Sequence, residues 1–254
     1  MNDDSLYRTG VRPAFDAYLV EKSKEVRDYG EYWSASSAGY CMRKNIFERL
    51  KVPHVETDSD ARLQRVFLMG HKMHEAIQEI TKEAGLSIAS EVELIDDKIM
   101  VKGHFDDLIK TESGLILYDY KSVNSMSFKY KKDKMSHYHT MQLGTYLYML
   151  RKDYPDLKEA RICNVSKDDW RMSEVQLLWS PKLEKEVFEY WSTLNGYWKE
   201  KKIPKCTCAD YEVNAKTGKG FMADPRYNPF FYEGEPCSLE WFKKWKEEQS
   251  ENKR

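Results

Sequence analysis

The chain has 254 residues, of which 41% are hydrophobic and 33% charged, with a formal net charge of −1 at pH 7. That supplies a core for one large domain, or for a compact domain with an appended subdomain, under a strongly ionic surface. The near-zero balance excludes a globally basic nucleic-acid binder, so such a role must rest on local patches, and no apolar run is long enough to span a bilayer.

The N-terminal MNDDSLYRTGVRPAFDAYLV has neither the basic start nor the apolar stretch of a signal peptide, so the expectation is a cytoplasmic protein with no membrane partner. In that reducing compartment the cysteines are free thiols or metal ligands instead of disulfides. Residues 12–30 read as a charged amphipathic helix or a lead-in. SASSAGYCMRKNIFERLKV opens with small polar residues able to cap a helix that carries Arg43, Lys44 and Arg49. DSDARLQRVFLMGHKMHEAIQEITKEAG is the clearest helix: Leu63, Val66, Phe67, Ala76, Ile77 and Ile80 recur at helical spacing, and Gly85 is its stop.

ASEVELI, KIMVKGHFDDLIK and GLILYDYKS read as strands separated by turns at Asp96-Asp97 and Ser113-Gly114. MQLGTYLYMLRKDYP is a helix that ends before Pro155. EARICNVSKD and SEVQLLWS are further strands, and PKLEKEVFEYWSTLNGYWKEKK is a helix with Pro181 near its start. The stretch from Ile203 to Cys237 is irregular, and LEWFKKWKEEQ is a short amphipathic helix. This order predicts an α/β fold with one central mixed sheet flanked by helices.

The strand GLILYDYKS raises a physical problem. Residues two apart in a strand face the same way, so Asp119 and Lys121 share a side while Ile116, Tyr118 and Tyr120 share the other. The turn at Glu112–Gly114 lays GHFD alongside, placing Asp106 near Asp119 with Lys121 beside them. Two adjacent carboxylates repel unless a cation separates them. A hard divalent ion held by carboxylates, water and phosphate oxygens resolves the conflict. Lys121 then orients or deprotonates an attacking water, or neutralises charge on a phosphoryl transition state. An isolated D-x-K, by contrast, is usually an exposed ion pair.

GHFD followed by YDYKS resembles motifs II and III of the PD-(D/E)XK nuclease superfamily, whose fold is restriction-endonuclease-like. Gly70 and His74 in GHKMHEAIQ resemble the G-x-x-x-H pattern of its RecB-like exonuclease branch, and Gln142 and Tyr146 in QLGTY resemble its Q-x-x-x-Y motif. GYCMRKNIF is similar to the N-terminal cysteine segment of members that carry an iron–sulfur cluster, among them the CRISPR-associated RecB-like exonucleases and the AddB nuclease domain. The resemblance implies His74, Asp106 and Asp119 as ligands of Mg2+ or Mn2+. Lys121 becomes the catalytic lysine, and Gln142 and Tyr146 organise the site or contact DNA. Asp107, where relatives often have a small residue, is read as structural. His137 and His139 are read as surface or cap residues.

The same resemblance places Cys41, Cys206, Cys208 and Cys237 where cluster-bearing relatives have ligands, implying a [4Fe–4S] cluster, with zinc as the alternative and free thiols as the plain one. The spacing departs from those relatives: the pair is Cys-Thr-Cys, and the next cysteine is Cys237. Cys163, inside a strand, reads as a small buried hydrophobe. Boundaries follow at 1–56 for an N-terminal helical segment with the first cysteine, 57–202 for the nuclease core and 203–254 for a cysteine-bearing segment and helix, all in one compact unit.

SFKYKKDK interleaves Lys129, Lys131, Lys132 and Lys134 with Phe128 and Tyr130 just after the catalytic strand. Lysines neutralise phosphates and rings stack on unpaired bases, so these residues and Arg43 are the DNA-contact candidates. The resulting expectation is a metal-dependent exonuclease on single strands or DNA ends. Its setting would be recombination, repair or phage DNA metabolism, beside recombination or CRISPR-adaptation proteins. A structure-selective endonuclease and a non-catalytic DNA-binding scaffold are the competing readings.

Overall fold

A computed structural model describes residues 10–23, 30–55, 61–210, 221–223 and 228–251. The helices are α1 (Val11–Ser23), α2 (Met42–Arg49), α3 (Ala61–Glu83), α4 (Ser125–Lys131), α5 (His137–Leu150), α6 (Pro181–Lys199) and α7 (Leu239–Glu251). The strands are β1 (Trp33–Ser34), β2 (Ser87–Asp96), β3 (Val101–Thr111), β4 (Gly114–Val123), β5 (Glu159–Ser166), β6 (Met172–Leu178), β7 (Phe231–Tyr232) and β8 (Glu235–Pro236). No described helix is long and apolar enough to cross a membrane.

The central sheet is mixed. β2 runs antiparallel along one edge of β3, from Ser87 opposite Ile109 to Asp96 opposite Val101. The other edge of β3 is shared: β1 pairs with it in parallel at Val101 and Lys102, and β4 pairs antiparallel from Asp107 to Thr111. Among the described residues, no strand pairs with Gly103–Asp106 on that edge. β5 lies parallel to β4, and β6 closes the sheet antiparallel to β5. Local chemistry accounts for the tight turns. Asp96 Oδ1 accepts the N–H groups of Lys98 and Ile99 at 2.9 and 3.2 Å, and Gly114 takes φ of 122° to start β4.

β4 is covered on both faces, which explains its almost continuous apolar sequence. Ile116, Tyr118 and Tyr120 pack with Met73 and Ile77 of α3 and with Cys163 and Val165 of β5. Leu117 faces the larger core, built with Leu143 and Leu147 of α5 and Val187 and Trp191 of α6. The parallel β4–β5 connection carries α4 and α5, each begun by a side-chain cap: Asn124 accepts from Ser127 N at 2.7 Å and Ser136 from His139 N at 3.4 Å. Ser180 caps α6 the same way, with Pro181 in the first turn. A Cβ at Gly144 would lie 2.9 Å from Val187 Cγ2, so glycine sets the close approach of α5 to α6.

The apolar spacing of α3 does not mark one core-facing stripe. Leu63, Val66, Phe67 and Ile80 stay exposed, and the buried positions are Met73, Ile77 and Gln78. The C-terminal segment, irregular by sequence, contains short helical turns at Cys208–Asp210 and Phe221–Ala223 and the β7–β8 hairpin. Glu233 and Gly234, at φ of 51° and 83°, form its two-residue turn. This segment builds a second core with α2, in which Phe47 stacks on Phe242 and meets Phe230 edge-on.

Candidate active site

The site lies where β3 and β4 part. Their ladder stops at Asp107 opposite Tyr118. Just beyond it, Asp106 Oδ2 accepts the main-chain N–H of Tyr120 at 2.7 Å, so a carboxylate takes over where strand pairing ends. Asp119 and Lys121 project together from β4: Lys121 Nζ is 2.7 Å from Asp119 Oδ2 and 3.0 Å from Oδ1. Gln142, from the second turn of α5, donates Nε2–H to Asp119 Oδ1 at 3.2 Å. His74 reaches in from α3, with Nδ1 3.7 Å from Asp106 Oδ2.

Gly70 explains how α3 comes so close. A Cβ there would lie 2.8 Å from Ser122 Oγ and 4.0 Å from Ser122 Cβ, so a side chain at this crossing would displace the serine hydroxyl where the helix passes the end of β4, one turn before His74. Gly103 does a similar job on β3, where a Cβ would lie 2.7 Å from Ala35 Cβ and 3.0 Å from Tyr146 Oη. Tyr146 therefore lies over the strand-free edge of β3, one turn of α5 beyond Gln142.

Burial and mutual charge shift the protonation of this cluster. Burial first, then the charge of Asp119, push the Asp106 carboxyl up to about 8, against the pull of Lys121 and the Tyr120 N–H. Burial pulls the Lys121 ammonium down, but Asp119 and Asp106 outweigh it and hold the group above its ordinary value. Burial and the Lys121 charge lower His74, leaving a neutral imidazole suited to metal ligation. Imidazole and carboxylate donors fit a divalent ion here, although they are less tightly gathered than the cysteines described below. A divalent ion would displace the Asp106 proton, offset the charges of both carboxylates and draw the donors together.

Asp107 is fully buried and faces away from this cluster. It accepts from Thr81 Oγ1 at 2.7 Å, from Tyr120 Oη at 3.1 Å and from Ser87 Oγ, tying α3 and β2 to the sheet. His139, read from sequence as a surface or cap residue, stands closer to the chemistry. Burial and the charges of Lys121 and Lys131 push its imidazole down to about 3. Sequence reasoning also passed over Glu91, which sits at φ of 54° and accepts from Gln78 Nε2 at 2.8 Å. That same nitrogen lies 3.0 Å from the Asp106 carbonyl. Only the fold-back of β2 and α5 brings these residues near Asp106 and Lys121.

Two DNA-contact candidates are corrected. Phe128 is only 5% exposed, because the lysine-rich run forms α4 and turns this ring inward beneath the Arg171 guanidinium, 5.3 Å from its centroid. Arg43 donates Nε–H to Pro204 O at 2.7 Å and Nη1–H to Cys237 O at 3.1 Å, so its guanidinium fastens the C-terminal segment to α2. Tyr130 is 74% exposed, and Lys129, Lys131, Lys132 and Lys134 are exposed around the end of α4 and just after it.

The remaining candidates form a separate centre. Cys41 precedes α2, Cys206 and Cys208 lie in the segment after α6, and Cys237 follows β8. Among the described residues these four sulfurs are the one set of metal-type ligand atoms in which all lie within 4.8 Å of one another. Cys163 is buried apart from them under α3.

A family model of the PD-(D/E)XK nuclease superfamily matches residues 40–194, and the chain belongs to that superfamily. Its members are phosphodiester hydrolases, and the mixed sheet flanked by helices is their restriction-endonuclease-like core. No curated protein matches the sequence. Among solved structures, SSO0001 is similar at 14% identity and a TM-score of 0.49, over 76% of this chain and 87% of that one. LHK-Exo in complex with dAMP is similar at 19% identity and a TM-score of 0.44, over 74% and 95%.

Proposed function

We propose that the chain is a metal-dependent deoxyribonuclease of the RecB-like branch, acting as an exonuclease on single strands or DNA ends in recombination, repair or phage DNA metabolism. The observation that carries this reading is the gathering of His74, Asp106, Asp119 and Lys121 at the β3–β4 junction, with Lys121 Nζ 2.7 Å from Asp119 Oδ2 and His74 Nδ1 3.7 Å from Asp106 Oδ2. A scaffold has no physical need of this set, and a carboxyl pushed up to about 8 by burial and by Asp119 supports a group that exchanges its proton for a divalent cation.

His74, Asp106 and Asp119 would hold Mg2+ or Mn2+, which supplies a bound water of lowered pKa and a Lewis acid for the phosphoryl oxygen. The protein's own residues do the rest. Gln142 fixes the rotamer of Asp119 through the Oδ1 contact. Lys121, kept cationic by two carboxylates, is suited to stabilising charge that develops on the phosphate and to orienting the attacking water, and less suited to removing its proton. The rim of Lys129, Lys131, Lys132 and Lys134 faces outward to meet backbone phosphates, and Tyr130 offers a ring for stacking an unpaired base.

The test compares end-labelled linear single strands with closed single-stranded circles, with Mg2+ or Mn2+ and with chelator. Metal-dependent loss of the linear substrate, with circles intact, supports exonuclease action. Nicking of circles moves the reading to an endonuclease, and binding without cleavage of any DNA moves it to a scaffold.

A further inference from the structure

The cluster implied by resemblance to iron–sulfur relatives does not fit the four-cysteine centre. A four-iron cubane puts each thiolate on a different iron, with the sulfurs pointing outward around a body of four irons and four sulfides. Its cysteine sulfurs must therefore stand well beyond the 4.8 Å within which all four sulfurs lie here. A two-iron cluster fails for a related reason, since it would draw two pairs of sulfurs apart along the iron–iron axis.

A single tetrahedral ion meets the geometry. Zinc–sulfur bonds of about 2.3 Å separate the sulfurs of a regular tetrahedron by about 3.8 Å. Cys208 and Cys237 sulfurs are 3.7 Å apart, and those of Cys41 and Cys206 are 3.9 Å apart. We infer that Cys41, Cys206, Cys208 and Cys237 hold one zinc ion as a structural clasp between the start of α2 and the C-terminal segment. Among single ions that accept four thiolates, zinc is favoured over ferrous iron by its higher intrinsic affinity for such donors.

The surroundings are built for a compact anionic centre. Four thiolates on a divalent ion carry net negative charge, and N–H groups point at the sulfurs to offset it. Thr207 N donates to Cys41 Sγ at 3.4 Å and Cys208 N to Cys206 Sγ at 3.5 Å. Asn228, 1% exposed, places Nδ2 3.5 Å from Cys208 Sγ and 3.8 Å from Cys237 Sγ. It is fixed there by the Met222 carbonyl at 2.9 Å and by the Phe230 N–H, which donates to its Oδ1 at 3.0 Å. Cys237 adopts φ of 50°, a conformation costly for a non-glycine residue, with its N–H on Phe230 O at 2.6 Å. No open face for an exchangeable ligand is needed, which is the mark of a structural site.

The test is elemental and spectroscopic, and it reads this centre independently of nuclease activity. Full-length protein is purified without oxygen from cells supplied with both iron and zinc. The expected result is one zinc per chain, no inorganic sulfide and no visible absorption band. Replacement by Co2+ should give the intense visible bands of a tetrahedral tetrathiolate. Asn228→Leu should keep the fold but release zinc to a chelator at least tenfold faster. Iron with sulfide in the purified protein, a single bound iron, or no metal with all four thiols freely titratable would each overturn the inference. An inactive protein holding one zinc would leave it standing while removing the nuclease reading.

Discussion

The carboxylate of Asp106 takes the place of a strand for Tyr120: its Oδ2 receives the Tyr120 N–H at 2.7 Å just past the end of the β3–β4 ladder. One residue thus ends the sheet pairing and carries an ionisable carboxyl into the gap that the ending creates. Its neighbour Tyr120 is flanked on β4 by Asp119 and Lys121, so the backbone contact also sets the distance between the two acids.

That placement makes metal affinity depend on pH. In the metal-free fold Asp106 titrates at about 8, above its ordinary 3.8. Its stabilising contribution is therefore complete below about pH 4 and is lost as pH rises through about 8. A divalent ion must displace this proton, so Mn2+ affinity should rise roughly tenfold per pH unit up to about pH 8. Calorimetric titrations at several pH values check this, with Asp106→Asn as the control that loses the dependence. Affinity that is flat between pH 6 and 8 in the wild type would contradict the protonation argument.

Gly70 should be necessary because of Ser122. Alanine has the better helix propensity by about 1 kcal/mol, so Gly70→Ala should leave thermal stability near wild type. Its Cβ nevertheless meets Ser122 Oγ at 2.8 Å, and where that hydroxyl does not turn away the contact shifts α3, with His74, from Asp106. We expect at least a tenfold loss of metal-dependent cleavage, most of it restored by adding Ser122→Ala. A double variant as poor as the single one would show that this contact is not the cause.

Two neighbours in the lysine-rich run should separate cleanly. Phe128→Ala removes a buried ring and should cost about 3–5 kcal/mol of stability. Tyr130→Ala should leave stability unchanged and weaken single-strand binding by about 1–3 kcal/mol. Denaturant melts and fluorescence anisotropy distinguish them; equal effects on both readouts would remove the distinction between core and rim.

Arg43→Ala should behave like Phe128→Ala. Losing the guanidinium strands the carbonyls of Pro204 and Cys237, at a cost of about 1–3 kcal/mol each. DNA affinity, measured at fixed salt, should stay within twofold of wild type.

The strands of the proposed site are legible in the sequence because their logic is local. Alternation alone puts Asp119 and Lys121 on one side, and a short turn puts Asp106 beside them. What was illegible depended on distant packing. The apolar residues of α3 occupy more than one face, so periodicity alone could not tell that Met73 and Ile77 meet the sheet while Leu63 and Phe67 remain outside. Phe128 sits among lysines, yet the helix they form has an inner side. His139 reads as a surface or cap residue because it sits where α5 begins, and only the return of α5 against β4 brings its ring near Lys121. The four cysteines could be nominated from sequence, but separations that distinguish one ion from a cluster exist only once α2 and the C-terminal hairpin have folded together.

The most direct test of the site is Mg2+- or Mn2+-dependent digestion of end-labelled single-stranded DNA by wild type and by Lys121→Ala, with binding measured in parallel. The wild type should digest its substrate only with metal. The variant should fold, bind DNA with similar affinity and lose cleavage by at least a hundredfold. A Lys121→Ala protein that cleaves at the wild-type rate would contradict the assignment of the β3–β4 junction as the active site.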